Sequence, residues 1–271
     1  MQKIRVAALQ LHAGADKEKN LCKATRLIER AAERGAQLIV LPELFNWRGE
    51  KGALKGQSET IPGPTSLKMA ALAVTRKLFI LCGSIIETHP ENRKPYNTSF
   101  LINHEGNICA LYRKIHLFKL NPEIHTPIDE SGIYSPGRNT RTVATPFGRV
   151  GFSICYDLRF PELYRTLAYQ GAEIIFVPSA FTFTTGKAHW ETLVRARAIE
   201  NQVYIVAPNQ HGKDPLGNRN YGHSLIVDPW GSVIAHCQNS EDIIYAELDL
   251  SYLKKIRRRL PALNSASISF K

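Results

Sequence analysis

Cysteine is sparse in this chain, and what there is has no obvious partner. Cys22, Cys82, Cys109, Cys155 and Cys237 are odd in number and far apart. No C-x-x-C pair occurs, which excludes a zinc knuckle and a disulfide scaffold as organising devices. Long hydrophobic runs are also missing: stretches such as Gln37–Leu41 and Ile174–Val177 have the length of strands and are too short to cross a bilayer. No membrane partner is expected. The opening residues Met1–Val6 run straight into an alternating strand without a signal-peptide pattern, which predicts the cytoplasm. Neither a glycine-rich phosphate loop nor a helix-turn-helix is legible. Acidic residues are outnumbered, 24 against 35 Lys and Arg, for a formal charge of +11. Such a surplus suits nucleic acid, anionic membranes or acidic substrates. The densest cluster, Lys254–Arg259, reads as a solvated helix face, because the aromatic platforms that single-strand binders interleave with charge are absent. Nucleic acid is therefore not expected as a partner, and the charge favours an anionic small substrate.

What is present is an alternation of strand and helix signals over 271 residues, 44% of them hydrophobic, enough for a globular core. Ile4–Gln10 predicts a strand, and Lys17–Arg34 a helix with Leu21, Ala24, Leu27, Ile28 and Ala31 on one face. Further strands are expected over 37–41, 78–86, 96–102, 108–112, 143–145, 149–154, 174–177, 203–207, 224–227, 233–236 and 243–248. Helices are expected over 64–76, 161–170, 189–201 and 250–259, and a long loop over 114–139 that, by its length, is functional. The segment Gly35–Glu43 is echoed by Gly171–Ser179 and more loosely by Val203–Asn209. In each an apolar strand ends in proline, which cannot donate to the ladder and so releases the next side chain. The echo points to two α/β halves packed sheet to sheet, with helices outside. No linker separates them, so residues 1–271 are read as one domain.

The most informative stretch is Val150–Leu163. An apolar run stops at Cys155, a polar turn follows, and a helix opens at Pro161. Backbone N–H groups at such a turn can stabilise an anion and are expected to lower the thiol's pKa. Cys155 is thus a candidate nucleophile, while the other four cysteines read as small buried hydrophobes. Ligands in α/β sheets bind at the carboxyl ends of strands, where Glu43 and Lys114 also lie. Each alone has an ordinary surface reading. Together they supply what acyl transfer through a thiol requires. Glu43 would take the Cys155 proton and return it to leaving ammonia, and Lys114 with the Tyr156 N–H would hold the oxyanion. Water would then hydrolyse the thioester. No metal and no organic cofactor is needed.

Leu41-Pro42-Glu43, Tyr112–Leu117 and Cys155–Glu162 resemble, in order and spacing, the three motifs of the nitrilase superfamily of carbon–nitrogen hydrolases. The resemblance covers nearly the whole chain. It implies a four-layer α-β-β-α sandwich, a Glu-Lys-Cys triad on Glu43, Lys114 and Cys155, and a second glutamate at Glu130, which otherwise reads as a solvated loop carboxylate. It also implies a homodimer or higher homo-oligomer. Residues 184–190, 195–202, 221–224 and 228–231 are similar to the omega-amidase and deaminated glutathione amidase group, which implies a terminal amide of a small dicarboxylate-like or 2-oxo acid as substrate. Lys187 departs from that group, where proline is expected, and the prolines and His125 of the segment 122–131 are unexpected in it.

An anionic substrate needs a cation near Cys155. Arg159 is the candidate carboxylate clamp, against a structural salt bridge to Asp157 or Glu162. Phe181 and Thr182 are candidate pocket residues, against ordinary loop packing. Arg195 and Arg197 read as structural or interface residues. The alternatives are a nitrilase or N-carbamoyl amide hydrolase of the same superfamily, and a catalytically idle binding protein on the same fold.

Overall fold

The structure is a computed structural model that describes residues 3–120, 128–263 and 265. Among them the strands form two six-stranded sheets and two short two-stranded ones. The first large sheet runs in the order Asp242–Asp249, Lys3–Gln10, Leu38–Val40, Phe79–Glu87, Tyr96–Ile102, Ile108–Arg113. The second runs Val233–His236, Leu225–Val227, Tyr204–Ala207, Ile174–Phe176, Gly148–Phe152, Thr142–Thr145.

Period-two alternation decides which side chain enters which layer. Ile4, Val6 and Ala8 join Leu38 and Val40 in a core shared with Val150, Phe152, Ile174 and Phe176 of the other sheet. Their neighbours Ala7, Leu9, Ile39 and Leu41 point the other way, onto Leu27, Ile28 and Met69. Those residues belong to the helices Lys17–Glu33 and Pro64–Arg76 that cover the first sheet. The first of them starts where the Asp16 carboxylate accepts the Lys19 N–H at 3.0 Å. Helices Pro161–Tyr169 and Phe183–Asn201 cover the second sheet through Leu163, Leu167, Trp190 and Val194. The layers are therefore α-β-β-α, as expected.

The three echoed strands all lie in parallel parts of the sheets. Leu38–Val40 runs between Lys3–Gln10 and Phe79–Glu87. Ile174–Phe176 and Tyr204–Ala207 are adjacent, with Ile174 opposite Tyr204. Their carboxyl ends are tied by Gln210, next to Asn209, whose N–H donates to the Ser179 carbonyl and whose Nε2 donates to the Glu43 carbonyl, each at 2.9 Å. Gly83 belongs to this arrangement. A Cβ there would stand 2.1 Å from the carbonyl oxygens of both Leu41 and Pro42, so glycine lets Phe79–Glu87 pass close behind Glu43.

Three expectations are corrected. Helix 183–201 begins six residues before the expected His189, because Thr184-Thr185-Gly186-Lys187 carries no helical apolar stripe, yet Gly186 packs against Tyr221 and the segment is held in place. Lys187, which stands where proline is expected, is thus an exposed residue of that helix. The expected loop 114–139 contains the paired strands Lys119–Leu120 and Ile128–Asp129 and a turn at Glu130–Gly132. His125 and the rest of 121–127 lie outside the described residues. Of the cysteines read as buried, Cys22 is exposed and Cys109 only half-buried. Among the described residues, no helix is long and apolar enough to cross a membrane.

Candidate active site

Strand Gly148–Phe152 ends at Ser153, and Cys155 adopts a left-handed φ of 47° at the start of a tight turn, Cys155–Arg159. A non-glycine residue there is strained and persists only where its surroundings hold it. The Cys155 N–H donates to the Pro178 carbonyl at 3.0 Å, and the Ile154 N–H to Asp157 Oδ2 at 2.8 Å. Proline at the first position of Pro161–Tyr169 then restarts the chain as a helix. Burial pushes the thiol well above its usual range and the adjacent Glu43 charge adds to this; Lys114 and the Ala180 backbone N–H pull in the other direction without prevailing. This corrects the expected lowering of the thiol's pKa. A thiol whose pKa is raised in this way calls for a base to take its proton.

Glu43 and Lys114 arrive from the other sheet. The Lys114 ammonium is 1% exposed and lies between two carboxylates, 2.8 Å from Glu43 Oε1 and 2.9 Å from Glu130 Oε2. Asn97 Nδ2 donates to the same Glu43 oxygen at 2.8 Å, and Gln210 Nε2 to the Glu43 carbonyl at 2.9 Å. Burial works to raise the Glu43 pKa, but the Lys114 charge and hydrogen bond, with a contribution from the Cys155 thiol, bring it below the usual carboxylate range. Glu130 goes the other way: burial and the neighbouring Glu43 charge raise it despite Lys114 and the Phe118 N–H. Burial disfavours the Lys114 cation, and the two glutamates more than reverse that. Glu130 is held at the end of the Lys119–Leu120 and Ile128–Asp129 pairing, where its Oε2 accepts the Phe118 N–H at 2.8 Å. It is not the solvated loop acid of the alternative reading.

Glu43, Lys114, Glu130, Cys155 and Thr182 line one cavity of about 390 Å³. The Tyr156 N–H, next to the thiol, has no acceptor among the described residues. Arg159, Phe181, Thr182 and Tyr156 line a small adjoining recess that Cys155 shares. The Arg159 guanidinium stands 5.4 Å from the Phe181 ring centroid and 5.8 Å from that of Tyr156, with Nη1 3.3 Å from His189 Nδ1. It pairs with neither Asp157 nor Glu162 among the described residues. Arg197 is structural: Nε donates to the Leu158 carbonyl at 3.0 Å and Nη1 meets Glu200 at 2.9 Å.

The sequence reading missed several residues here. Arg48 meets Asp214 Oδ2 at 2.8 Å in the cavity wall. Its place directly after Glu43–Trp47 was a usable signal, whereas nothing local marks Asp214. Ala180 acts through its backbone, which no side-chain pattern reveals. Asp157, fully buried, accepts from Tyr112 Oη at 2.7 Å, the His116 N–H at 3.0 Å and the Ile154 N–H at 2.8 Å, and contacts His116 Nδ1 at 2.7 Å. It ties the segment after Lys114 to the turn that carries Cys155. Chemically, the site offers a buried carboxylate base beside a thiol and a fixed ammonium where negative charge would develop.

The chain is similar to known proteins over nearly its whole length. The family model "Carbon-nitrogen hydrolase" matches residues 5–258. Omega-amidase NIT2 of Homo sapiens is 38% identical over 96% of this chain and 94% of its own length. Deaminated glutathione amidase of Homo sapiens is 40% identical over 94% of this chain and 80% of its own length. The crystal structure of Saccharomyces cerevisiae Nit3, a member of the nitrilase superfamily, superposes with a TM-score of 0.89 at 38% identity, covering 99% of this chain and 97% of the other. With its layered fold, its motifs and a match of that extent, the chain belongs to the carbon–nitrogen hydrolase family.

Proposed function

We propose that this chain is an amidase that hydrolyses the terminal amide of a small carboxylate-bearing acid, of the 2-oxo acid type, through a thioester on Cys155. The observation that carries this reading is the Glu43–Lys114 pair, 2.8 Å apart and buried beside the thiol of Cys155, whose backbone is held at a left-handed φ. Glu43 takes the Sγ proton as the sulfur attacks the amide carbon. The Lys114 ammonium and the Tyr156 N–H hold the oxyanion. Glu43 then protonates the leaving nitrogen, the C–N bond breaks, and ammonia departs. Water follows and gives its proton to Glu43 as it attacks the thioester. The C–S bond breaks, the acid leaves, and Cys155 recovers its proton from Glu43. Glu130 positions Lys114 throughout.

The relatives named as amidases support an amide over a nitrile or an N-carbamoyl substrate. An idle binding protein has no need for a buried ammonium between two carboxylates. Arg159, without a carboxylate partner among the described residues, serves as the clamp for the substrate's carboxylate. Phe181 and Thr182 shape the recess around it. We also read the chain as one domain that assembles into a homodimer.

The test is intact-protein mass spectrometry during turnover of 2-oxoglutaramate and deaminated glutathione. The expected result is ammonia release with an acyl adduct on Cys155, and neither in Cys155→Ala. Absence of ammonia from a panel of amides, with Cys155 alkylated normally by iodoacetamide, overturns the reading. Nitrile turnover above amide turnover would favour a nitrilase, and carbon dioxide released with ammonia would favour a carbamoyl hydrolase.

A further inference from the structure

A second cavity, of about 290 Å³, is lined by the end of strand Ile108–Arg113 and by the segment 136–141, and shares no lining residue with the catalytic cavity. Its wall carries three guanidinium groups, Arg113, Arg138 and Arg141, together with Tyr96, Asn139 and Thr140, and no carboxylate. Arg113 is fixed in place. Its Nε and Nη2 donate to the buried Glu87 carboxylate at 2.7 and 2.6 Å, and its plane lies 4.3 Å from the Tyr96 ring centroid. Arg138 and Arg141 differ: among the described residues their side chains have neither a hydrogen bond nor an ion pair.

The segment that bears them is nonetheless well anchored. The Ser135 N–H donates to the Pro95 carbonyl at 2.8 Å, the Gly137 N–H to the Lys114 carbonyl at 2.8 Å, and the Phe152 N–H to the Arg141 carbonyl at 3.1 Å. Gln170 Nε2 donates to Thr140 Oγ1 at 2.8 Å. A Cβ on Gly137 would stand 2.1 Å from the Arg113 carbonyl oxygen, so loop and strand touch through their backbones. This is a preformed concave site with two unspent planar cations, a hydroxyl and an amide at its rim. Guanidinium forks match phosphate oxygens in geometry and charge, and the volume is close to that of the smallest organic-ligand pockets, about 300 Å³.

We propose that this cavity binds a phosphoryl-bearing small anion, with Arg138 and Arg141 gripping the phosphoryl group. Two sources share that chemistry, free inorganic phosphate and a phosphomonoester whose organic part fills the rest of the cavity. The site stands apart from the reaction proposed above and does not depend on it.

Isothermal titration of the full chain with inorganic phosphate and with adenosine monophosphate, at ionic strength held constant with sodium chloride, tests it. Saturable binding is expected, weakened at least tenfold in Arg138→Ala/Arg141→Ala and unchanged in Arg159→Ala. Tighter binding of adenosine monophosphate identifies the phosphomonoester; equal binding identifies the phosphoryl group alone. Both exchanged arginines are exposed, so the double variant is expected to fold and to keep its thermal midpoint. Absence of saturable binding to the unmodified chain, equal affinity in the double variant, or loss of binding in Arg159→Ala overturns the proposal.

Discussion

At the scale of single residues the site separates two carboxylates that share one ammonium. Glu43 is held below the usual carboxylate range and Glu130 above it. Opposed environments of this kind divide acid–base roles between like groups. In the proposed reaction Glu43 must be ionised to accept a proton, and Glu130 must be ionised to hold Lys114. As pH falls, Glu130 protonates first. The acid limb of kcat/KM is therefore expected at higher pH than an ordinary glutamate would give. In Glu130→Gln it should move down, to where Glu43 titrates. Glu43→Gln is expected to lower turnover by about 10²–10⁴, the usual worth of a positioned base. A steady-state pH profile of the three proteins checks this, and turnover within about tenfold of the parent in Glu43→Gln would remove Glu43 as the base. That Glu43, Lys114 and Cys155 stand at strand ends was legible because each follows an apolar strand. The state of the thiol was not, because burial and the Glu43 charge come from the other sheet.

At the scale of elements, most strands and helices were legible from periodicity, since alternation and the 3.6-residue stripe report burial directly. Helix Phe183–Asn201 was only partly so, because its first turns pack through Gly186 against Tyr221 rather than through an apolar stripe. The turn Cys155–Arg159 depends on a contact between elements. Asp157 binds Tyr112 of the preceding sheet, His116 beyond Lys114, and the Ile154 N–H. The His116 ring also stacks on Phe160, with centroids 3.6 Å apart. Asp157→Asn replaces a carboxylate that accepts throughout with an amide that must donate on one side. Hydrogen bonds to a buried charge contribute about 1.5–3 kcal/mol each, and their loss is not additive. The variant is expected to be less stable by about 3 kcal/mol, and to lose kcat more than KM because Cys155 and Lys114 shift relative to each other. Thermal melts and steady-state kinetics measured together check this; an unchanged kcat in a folded Asp157→Asn would show that the tie does not position the site.

At the scale of the whole molecule, the two sheets share one core, and the reacting groups meet across its edge. The outer face of helix Phe183–Asn201 carries exposed Ile199, and Trp230 and Leu260 beside it are also exposed. A Cβ on Gly231 would stand 2.5 Å from Ile199 Cγ1, and Arg259 lies over the Trp230 ring, so these groups form one patch. Patches of this kind mark association surfaces. A dimer built on it should be present in sedimentation equilibrium of the parent chain, and Trp230→Glu should shift it to monomer. A parent chain that sediments as a monomer would end that reading. By itself the sequence determined the layers, the strand ends and the chemical types at those ends, because burial periodicity and the inability of proline to donate to a ladder are local properties of the chain. Only the tertiary structure decided that Glu43, Lys114, Glu130 and Cys155 meet in one cavity, that burial and the Glu43 charge raise the thiol's pKa, and that Arg159 pairs with no carboxylate among the described residues. Those facts depend on distance and on the dielectric of the surroundings, which are set when one sheet packs on the other.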